Sequence, residues 1–489
     1  MRRPGLHRPF ANPTPESVRA FIDAIPLYRD DMVHDVTFWT DDRLRAKRDE
    51  LLRRQLGWCA EASAFYRKHF ADAGVDVGDV RSLDDLARLP VTTKADLMGD
   101  PAAFRLRFES PTVYDTTYVT AYTTGTTAGS PTPYEYTSHD YLAGFVAARR
   151  SGKVLYQVPG DLYYSTFPLS PLPHVASMAS MKSSSYGIAF LHGFAGTPHP
   201  EFPIHRTTSD LLDDIEQYQP QTVAGIGSFL RRLFARAVSE GRDLSSIRLV
   251  LNSGESFNET MRAKVKDQLR SCGAEEVFVT ATYGFTEGGM TWSPCREGGP
   301  LHACAPDQAV LEVIDEETHQ PLPDGEIGLV ALTHLNRRGM PLVRYLLGDR
   351  AAMTHDRCPS CGRGGESLVV AVGSAHVTRT KELLKVKGTL INPAIIHDVV
   401  MSERGILEYQ VVVDREDPDD ELSSDVLRLL VAVEEGDAGR GVDLEELGRR
   451  VHSATEVRPV IELIADAAQI YDPSSQFKAQ RFVDRRVIS

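Results

Sequence analysis

Basic side chains are in deficit. Lysine and arginine number 54 against 68 aspartates and glutamates, a formal charge of −14. That field repels phosphate polymers and argues against a broad basic face for nucleic acid. It leaves room for a small phosphate ligand held by the backbone N–H groups of one loop. Long apolar runs are missing too. No stretch approaches the roughly 18 residues of a membrane span, and Met1-Arg2-Arg3-Pro4-Gly5 carries no apolar signal core. The expectation is a cytoplasmic protein with neither a membrane nor a nucleic-acid partner. Cysteine is scarce, six in all, and in a reducing compartment such residues read as thiols or metal ligands rather than disulfides. Repeats and low-complexity tracts are absent. What remains is ordinary globular material, 42% apolar and 25% charged, which excludes disordered and collagen-like chains. The 489 residues correspond to about three structural units at roughly 150 residues each.

Residues 1–100 read as mostly helical, with apolar residues at helical spacing over Asp41 to Leu56 and again from Trp58 to Phe70. Leu89-Pro90-Val91-Thr92-Thr93-Lys94 interrupts the pattern with a proline and a capping threonine. From about 100 to 350, apolar runs such as Thr222–Ile226, Ile247–Leu251 and Val277–Tyr283 alternate with helical stretches, the signature of a mostly parallel sheet. An Asp324-Gly325 turn opens a β-rich subregion. Past about 380 the style shifts to strands at Ile406–Asp414, Val426–Glu434 and Val460–Ala465, with a helix at Leu444–Val457. The expected architecture is α/β. A large N-terminal domain (1–380) has parallel strands and a β-rich subregion, and a small α+β C-terminal domain (381–489) follows.

Tyr122-Thr123-Thr124-Gly125-Thr126-Thr127-Ala128-Gly129-Ser130-Pro131-Thr132 offers glycines for close backbone approach and hydroxyls for phosphate oxygens. No Gly-Lys-Ser/Thr ending follows, so it is not a Walker loop. Taken alone, it fits a threonine-rich surface turn equally well. Four further segments follow in order: Ser253-Gly254-Glu255-Ser256, Ala281-Thr282-Tyr283-Gly284-Phe285-Thr286-Glu287, Arg344-Tyr345-Leu346-Leu347-Gly348-Asp349 and Lys478-Ala479-Gln480-Arg481. With the loop, these resemble the adenylate-forming (ANL) superfamily, and within it the phenylacetate–CoA ligase branch. The Leu89–Lys94 segment and the stretch Phe477 to Arg486 match that branch, with Phe477 where a glycine is usual.

The resemblance implies attack of a carboxylate on the α-phosphate of ATP, release of pyrophosphate, and transfer of the acyl group to a second nucleophile, with CoA as the leading acceptor and an aromatic acid as substrate. Thr123, Thr124, Gly125, Thr126 and Thr127 would hold the β- and γ-phosphates. Glu287 would ligate Mg²⁺, Tyr283 and Gly284 would line the adenine and acyl pockets, and Asp349 would accept the ribose hydroxyls. Ser253, Gly254, Glu255, Ala281, Thr282 and Thr286 would complete the nucleotide site. Lys478 would bridge carboxylate and α-phosphate. Arg379 would contact ribose, and Lys381 would be the hinge about which a mobile C-terminal domain turns. Thr132 stands where a lysine usually closes the loop, and Thr378 where a glycine usually precedes the hinge arginine. Both departures leave the acceptor open: amide formation, carrier-protein loading, nitrite activation toward an arylamine, and a non-catalytic nucleotide binder are the alternatives. Whether the chain forms a homodimer is also open.

A second constellation is Cys358-Pro359-Ser360-Cys361-Gly362 with Cys295 and His302-Ala303-Cys304 upstream. Cys295, His302, Cys358 and Cys361 are the expected ligands of a closed structural Zn²⁺ site, with Cys304 the competing thiolate. His174, in Pro171-Leu172-Pro173-His174, and the Met178–Met181 region are weaker acyl-pocket candidates. Cys59 reads as core.

Overall fold

The computed structural model describes residues 7–122, 133–167, 186–195, 206–253, 259–369, 378–379, 384–386, 389–391, 393–416, 424–434, 437–470 and 481–486. Helix starts follow local chemistry. Thr93, Thr137 and Thr207 cap the helices Lys94–Gly99, Ser138–Val154 and Thr208–Tyr218. Each threonine side chain accepts the N–H of the aspartate three residues on, and the aspartate carboxylate accepts the threonine's own N–H.

The alternating segments build a five-stranded sheet in the order Ala189–His192, Leu162–Ser165, Thr222–Gly225, Leu249–Asn252, Phe278–Ala281. Every pair in it is parallel. Its three last strands are buried along their whole length, because crossover helices cover the sheet. Leu211, Ile215, Leu233, Phe234, Val265 and Leu269 supply that covering layer.

The parallel sheet stops at Ala281, and Tyr283–Gly284 already belongs to a second, eight-stranded sheet whose pairs are antiparallel. Thr282 alone separates them. The second sheet runs from Ala309–Ile314 through Gly328–His334, Tyr345–Thr354, Ser367–Val369, Leu301–Ala303 and Thr291–Pro294 to Tyr283–Gly284, with Thr378–Arg379 added on Tyr345–Thr354. It packs on the N-terminal helices Asp41–Ala62 and Ala64–Asp72 around Leu52, Leu56, Cys59, Tyr66, Trp292, Leu332 and Tyr345. Cys59 is fully buried there, as expected of a core thiol.

The C-terminal part is a four-stranded mixed sheet, Val460–Leu463, Asp425–Val433, Ile406–Arg415, Phe482–Asp484, with helices Pro393–Met401 and Leu444–Thr455. Its core (Ile406, Tyr409, Val411) is continuous with Leu233, Phe234 and Val265 beneath the parallel sheet. Among the described residues no helix is long and apolar enough to cross a membrane.

Candidate active site and metal centre

The candidate site lies where the two sheets meet. Ser253 donates its N–H to the Gly225 carbonyl (3.1 Å) and Thr282 donates to that of Asn252 (3.1 Å). The C-terminal ends of three neighbouring parallel strands therefore finish together, the place where open α/β sheets bind ligands. Facing them is the antiparallel hairpin Thr117–Tyr122/Pro133–Thr137, in which Tyr122 lies opposite Pro133. The Tyr136 hydroxyl donates to the Thr286 carbonyl. Arg337 stacks 4.7 Å from the Tyr136 ring centre and donates to the carbonyls of Glu287 (2.9 Å) and Gly288 (3.0 Å). At Gly289, with φ +67°, a Cβ would come within 2.8 Å of the Tyr136 ring. Only glycine suits both the backbone and the space. Hairpin and Glu287 turn form one packed unit.

Burial pushes the Glu287 carboxyl above its ordinary range, the positive charge of Lys94 pulls it down, and Asp349 pushes it up again. Lys94 is delivered by a segment bound to the Arg344–Asp349 motif. Buried Arg344 donates to the Leu89 carbonyl (2.9 Å), and Thr92 exchanges backbone bonds with Arg344 and Leu346 (3.0 and 2.9 Å). Sequence reasoning used Leu89–Lys94 as a family match and missed Lys94 as a cation beside Glu287. The signal was present in the motif's last residue. Asp349 sits inside the strand Tyr345–Thr354, and the Tyr283 hydroxyl donates to its Oδ2 at 2.7 Å. The register sets Arg379 directly opposite Asp349, so the two residues assigned to ribose by resemblance are backbone neighbours.

Tyr283, Thr286, Glu287 and Asp349 are therefore brought together, with Ser253, Ala281, Thr282 and Gly284 on the same strand ends and the backbone of Arg379 beside them. Thr123, Thr124, Gly125, Thr126, Thr127, His174, Met178–Met181, Gly254, Glu255, Lys381 and Lys478 lie outside the described residues.

The cysteine–histidine residues also converge. Cys295, His302, Cys358 and Cys361 are all buried, with their donor atoms within 4.8 Å of one another. The Cys295–Cys358 sulfurs are 3.9 Å apart, and His302 Nε2 lies 3.3 Å from Cys295 Sγ and 3.6 Å from Cys361 Sγ. Tetrahedral zinc, with Zn–S near 2.3 Å and Zn–N near 2.1 Å, sets edges of about 3.8 and 3.6 Å. The residues fit that ion. The other imidazole nitrogen, Nδ1, meets Ser367 Oγ at 2.9 Å, an outer contact that aims Nε2 at the thiols. Cys304 is not in the cluster: its sulfur reaches the His302 carbonyl at 3.6 Å.

Comparison with known proteins agrees with this geometry. The family model described as AMP-binding enzyme matches residues 66–334, and the chain belongs to that family. Its branch is phenylacetate–CoA ligase-like: the phenylacetate–coenzyme A ligase of Thermus thermophilus is 27% identical over 390 residues, spanning 78% of this chain and 80% of that protein. This is an AMP-forming ligase of the acyl–CoA synthetase type. Among solved structures, 2-hydroxyisobutyryl-CoA ligase in its postadenylation state superposes with TM-score 0.71 at 22% identity, covering 93% of this chain and 92% of that one. The same protein in its thioesterification state gives 0.58 at 23% identity, covering 92% and 91%.

Proposed function

We propose that the chain condenses an aromatic carboxylic acid with ATP, releases pyrophosphate, and passes the acyl group to the thiol of CoA. The observation that carries this reading is the junction of the Tyr136 hairpin with the Thr286–Glu287 turn. It joins the strands that flank residues 123–132 to the turn bearing Glu287, which supports a shared phosphate–magnesium site. The aromatic acid and the CoA acceptor rest on likeness to the phenylacetate–CoA ligases.

Two anions have to meet. A carboxylate oxygen bonds to the α-phosphorus, the bond from that phosphorus to the β-bridging oxygen breaks, and pyrophosphate carries the electron pair away. Thr123–Thr127 hold the β- and γ-phosphates with backbone N–H and hydroxyl groups. Glu287 supplies a hard oxygen ligand for Mg²⁺, which when bound offsets charge on the phosphates. Lys94 adds fixed positive charge beside Glu287. Tyr283 orients Asp349 toward the ribose hydroxyls, and Arg379 lies one rung away. Lys478 supplies the ammonium between carboxylate and α-phosphate. The second half-reaction moves the acyl carbon from the phosphate oxygen to the sulfur of CoA, with AMP leaving. Residues 1–380 and 381–489 act as two domains, and turning about Lys381 withdraws Lys478 between the halves. Cys295, His302, Cys358 and Cys361 would hold Zn²⁺ with four protein donors, and the ion would serve structure rather than chemistry.

The test is pyrophosphate release from ATP and Mg²⁺ across a panel of aryl and alkyl acids, with and without CoA. Release should be fastest with an aryl acid, thioester should form with CoA, and Lys478→Ala should slow adenylation by about a hundredfold or more while the protein stays folded. Release with no acid, but with nitrite plus an arylamine, would assign the chain to the diazotising alternative.

A further inference from the structure

Three charged side chains lie buried where the C-terminal part meets the helix Gly227–Glu240. Arg231, on that helix, is 1% exposed, Glu408 is 0% and Arg481 9%. Arg231 donates to the Ile406 carbonyl at 3.1 Å and to Glu408 Oε2 at 3.4 Å. Arg481 holds the same carboxylate from the other side, at 3.1 Å to Oε1 and 3.3 Å to Oε2. One carboxylate is therefore shared between a guanidinium of the N-terminal part and a guanidinium of the C-terminal part.

Arg481 is no arbitrary member of that part. It precedes the strand Phe482–Asp484, its carbonyl accepts the Val411 N–H at 2.7 Å, and that strand pairs in parallel with Ile406–Arg415. It is also three residues from Lys478, so the two Cα atoms are at most about 11 Å apart. Whatever fixes Arg481 limits where the Lys478 ammonium can go.

We infer that Arg231 and Glu408 are positioning residues for adenylation: through Arg481, they hold the C-terminal part in the placement seen here. This inference rests on the adenylation reading above. A buried charge pair is strong only while both partners are in place, and separating it leaves each charge without compensation. A turn of the C-terminal domain separates Arg231 from Glu408 but keeps Arg481 with Glu408, because those two move together. The pairing therefore favours one domain placement over the other.

The experiment separates the two half-reactions in Arg231→Met. That substitution leaves Glu408 still compensated by Arg481, so the C-terminal part keeps its own pair. Pyrophosphate release with ATP, Mg²⁺ and the acid the wild type uses fastest should fall about tenfold or more. Thioester formation from the matching acyl-adenylate supplied with CoA should change by less than about twofold. Arg231→Lys, which restores the charge, should recover much of the first rate. An equal fall in both half-reactions, or an unaltered adenylation rate, overturns the inference, as does an Arg231→Met protein too unstable to assay whose Arg231→Lys counterpart folds but slows both halves alike. Lys478→Ala is run beside them. If it adenylates at the full rate, the adenylation reading itself fails; if it is inactive while Arg231→Met is normal, only this inference falls.

Discussion

At the scale of single residues, Asp349 is the best defined of the proposed nucleotide contacts. It is held from one side by the Tyr283 hydroxyl at 2.7 Å and from the other by strand pairing with Arg379. A carboxylate that must accept two ribose hydroxyls has to be oriented before ATP arrives, and the tyrosine does that without adding charge. A hydrogen bond to a charged group contributes about 1.5–3 kcal/mol. Tyr283→Phe should therefore raise the KM for ATP by about tenfold, with little change in melting temperature because the ring and its packing on Phe285 and Trp292 remain. Steady-state kinetics at saturating acid would check it. An unmoved KM would place Asp349 away from the ribose. Glu287 and Asp349 could be singled out in the sequence because each stands in a motif that resembles the family's, and the structure brings the two together. Arg337 could not be. Its role depends on a ring 201 positions earlier and two carbonyls about 50 positions earlier, and no local pattern announces such contacts.

At the scale of elements, legibility follows length and period. The longer strands and helices of the C-terminal part, Ile406–Arg415, Asp425–Val433 and Leu444–Thr455, lie within a residue or two of where hydrophobic alternation puts them. Tyr283–Gly284, Thr378–Arg379 and Phe482–Asp484 are two or three residues long. Elements that short contain no full period, and the first two contain assigned site residues, Tyr283, Gly284 and Arg379. The cysteine–histidine cluster was legible for a different reason: ligand spacing is a chemical pattern and needs no periodicity. Structurally it joins the Thr291–Pro294 and Leu301–Ala303 hairpin and the connection from Tyr345–Thr354 to Ser367–Val369 with the first helices, since Cys295, Cys358 and Cys361 share a core with Val18, Phe21 and Tyr28. One zinc per chain is the expected result of metal analysis. Removing it by chelation, or disabling the site with Cys358→Ser, should lower the apparent melting temperature by about 5–10 °C. It should also expose the segment around Pro15–Asp31 to protease before the rest of the chain. Zinc-free protein with unaltered melting would leave four reduced thiol and imidazole groups with no metal role.

At the scale of the whole molecule, the question is what keeps the C-terminal part in one placement. Apolar contact continues across the boundary, but such contact is non-directional and does not by itself choose an orientation. The shared carboxylate of Glu408 does. Its partner Arg231 lies 177 positions away, a separation at which a sequence read without coordinates carries no pairing information. The choice is pH-dependent, with a definite sign. Burial pushes the Glu408 carboxyl up, but the guanidiniums of Arg481 and Arg231 outweigh it and bring the group from its usual 4.5 down to about 2. A carboxyl depressed in the folded state contributes stability that is fully present above the unfolded value near 4.5 and is lost as pH falls toward 2. The difference corresponds to about 3 kcal/mol at full effect. Glu408→Gln cannot titrate there. The gap in unfolding free energy between wild type and Glu408→Gln should therefore be constant from neutral pH to about 5 and close by about 3 kcal/mol between about 4.5 and 2. Other acidic groups titrate in both proteins and cancel in the difference. Urea titrations followed by a fluorophore in the C-terminal part would measure it. A gap that stays level through the acid range would mean that Glu408 is not held by two guanidiniums in solution, and the orienting role would have to belong to the apolar contact alone.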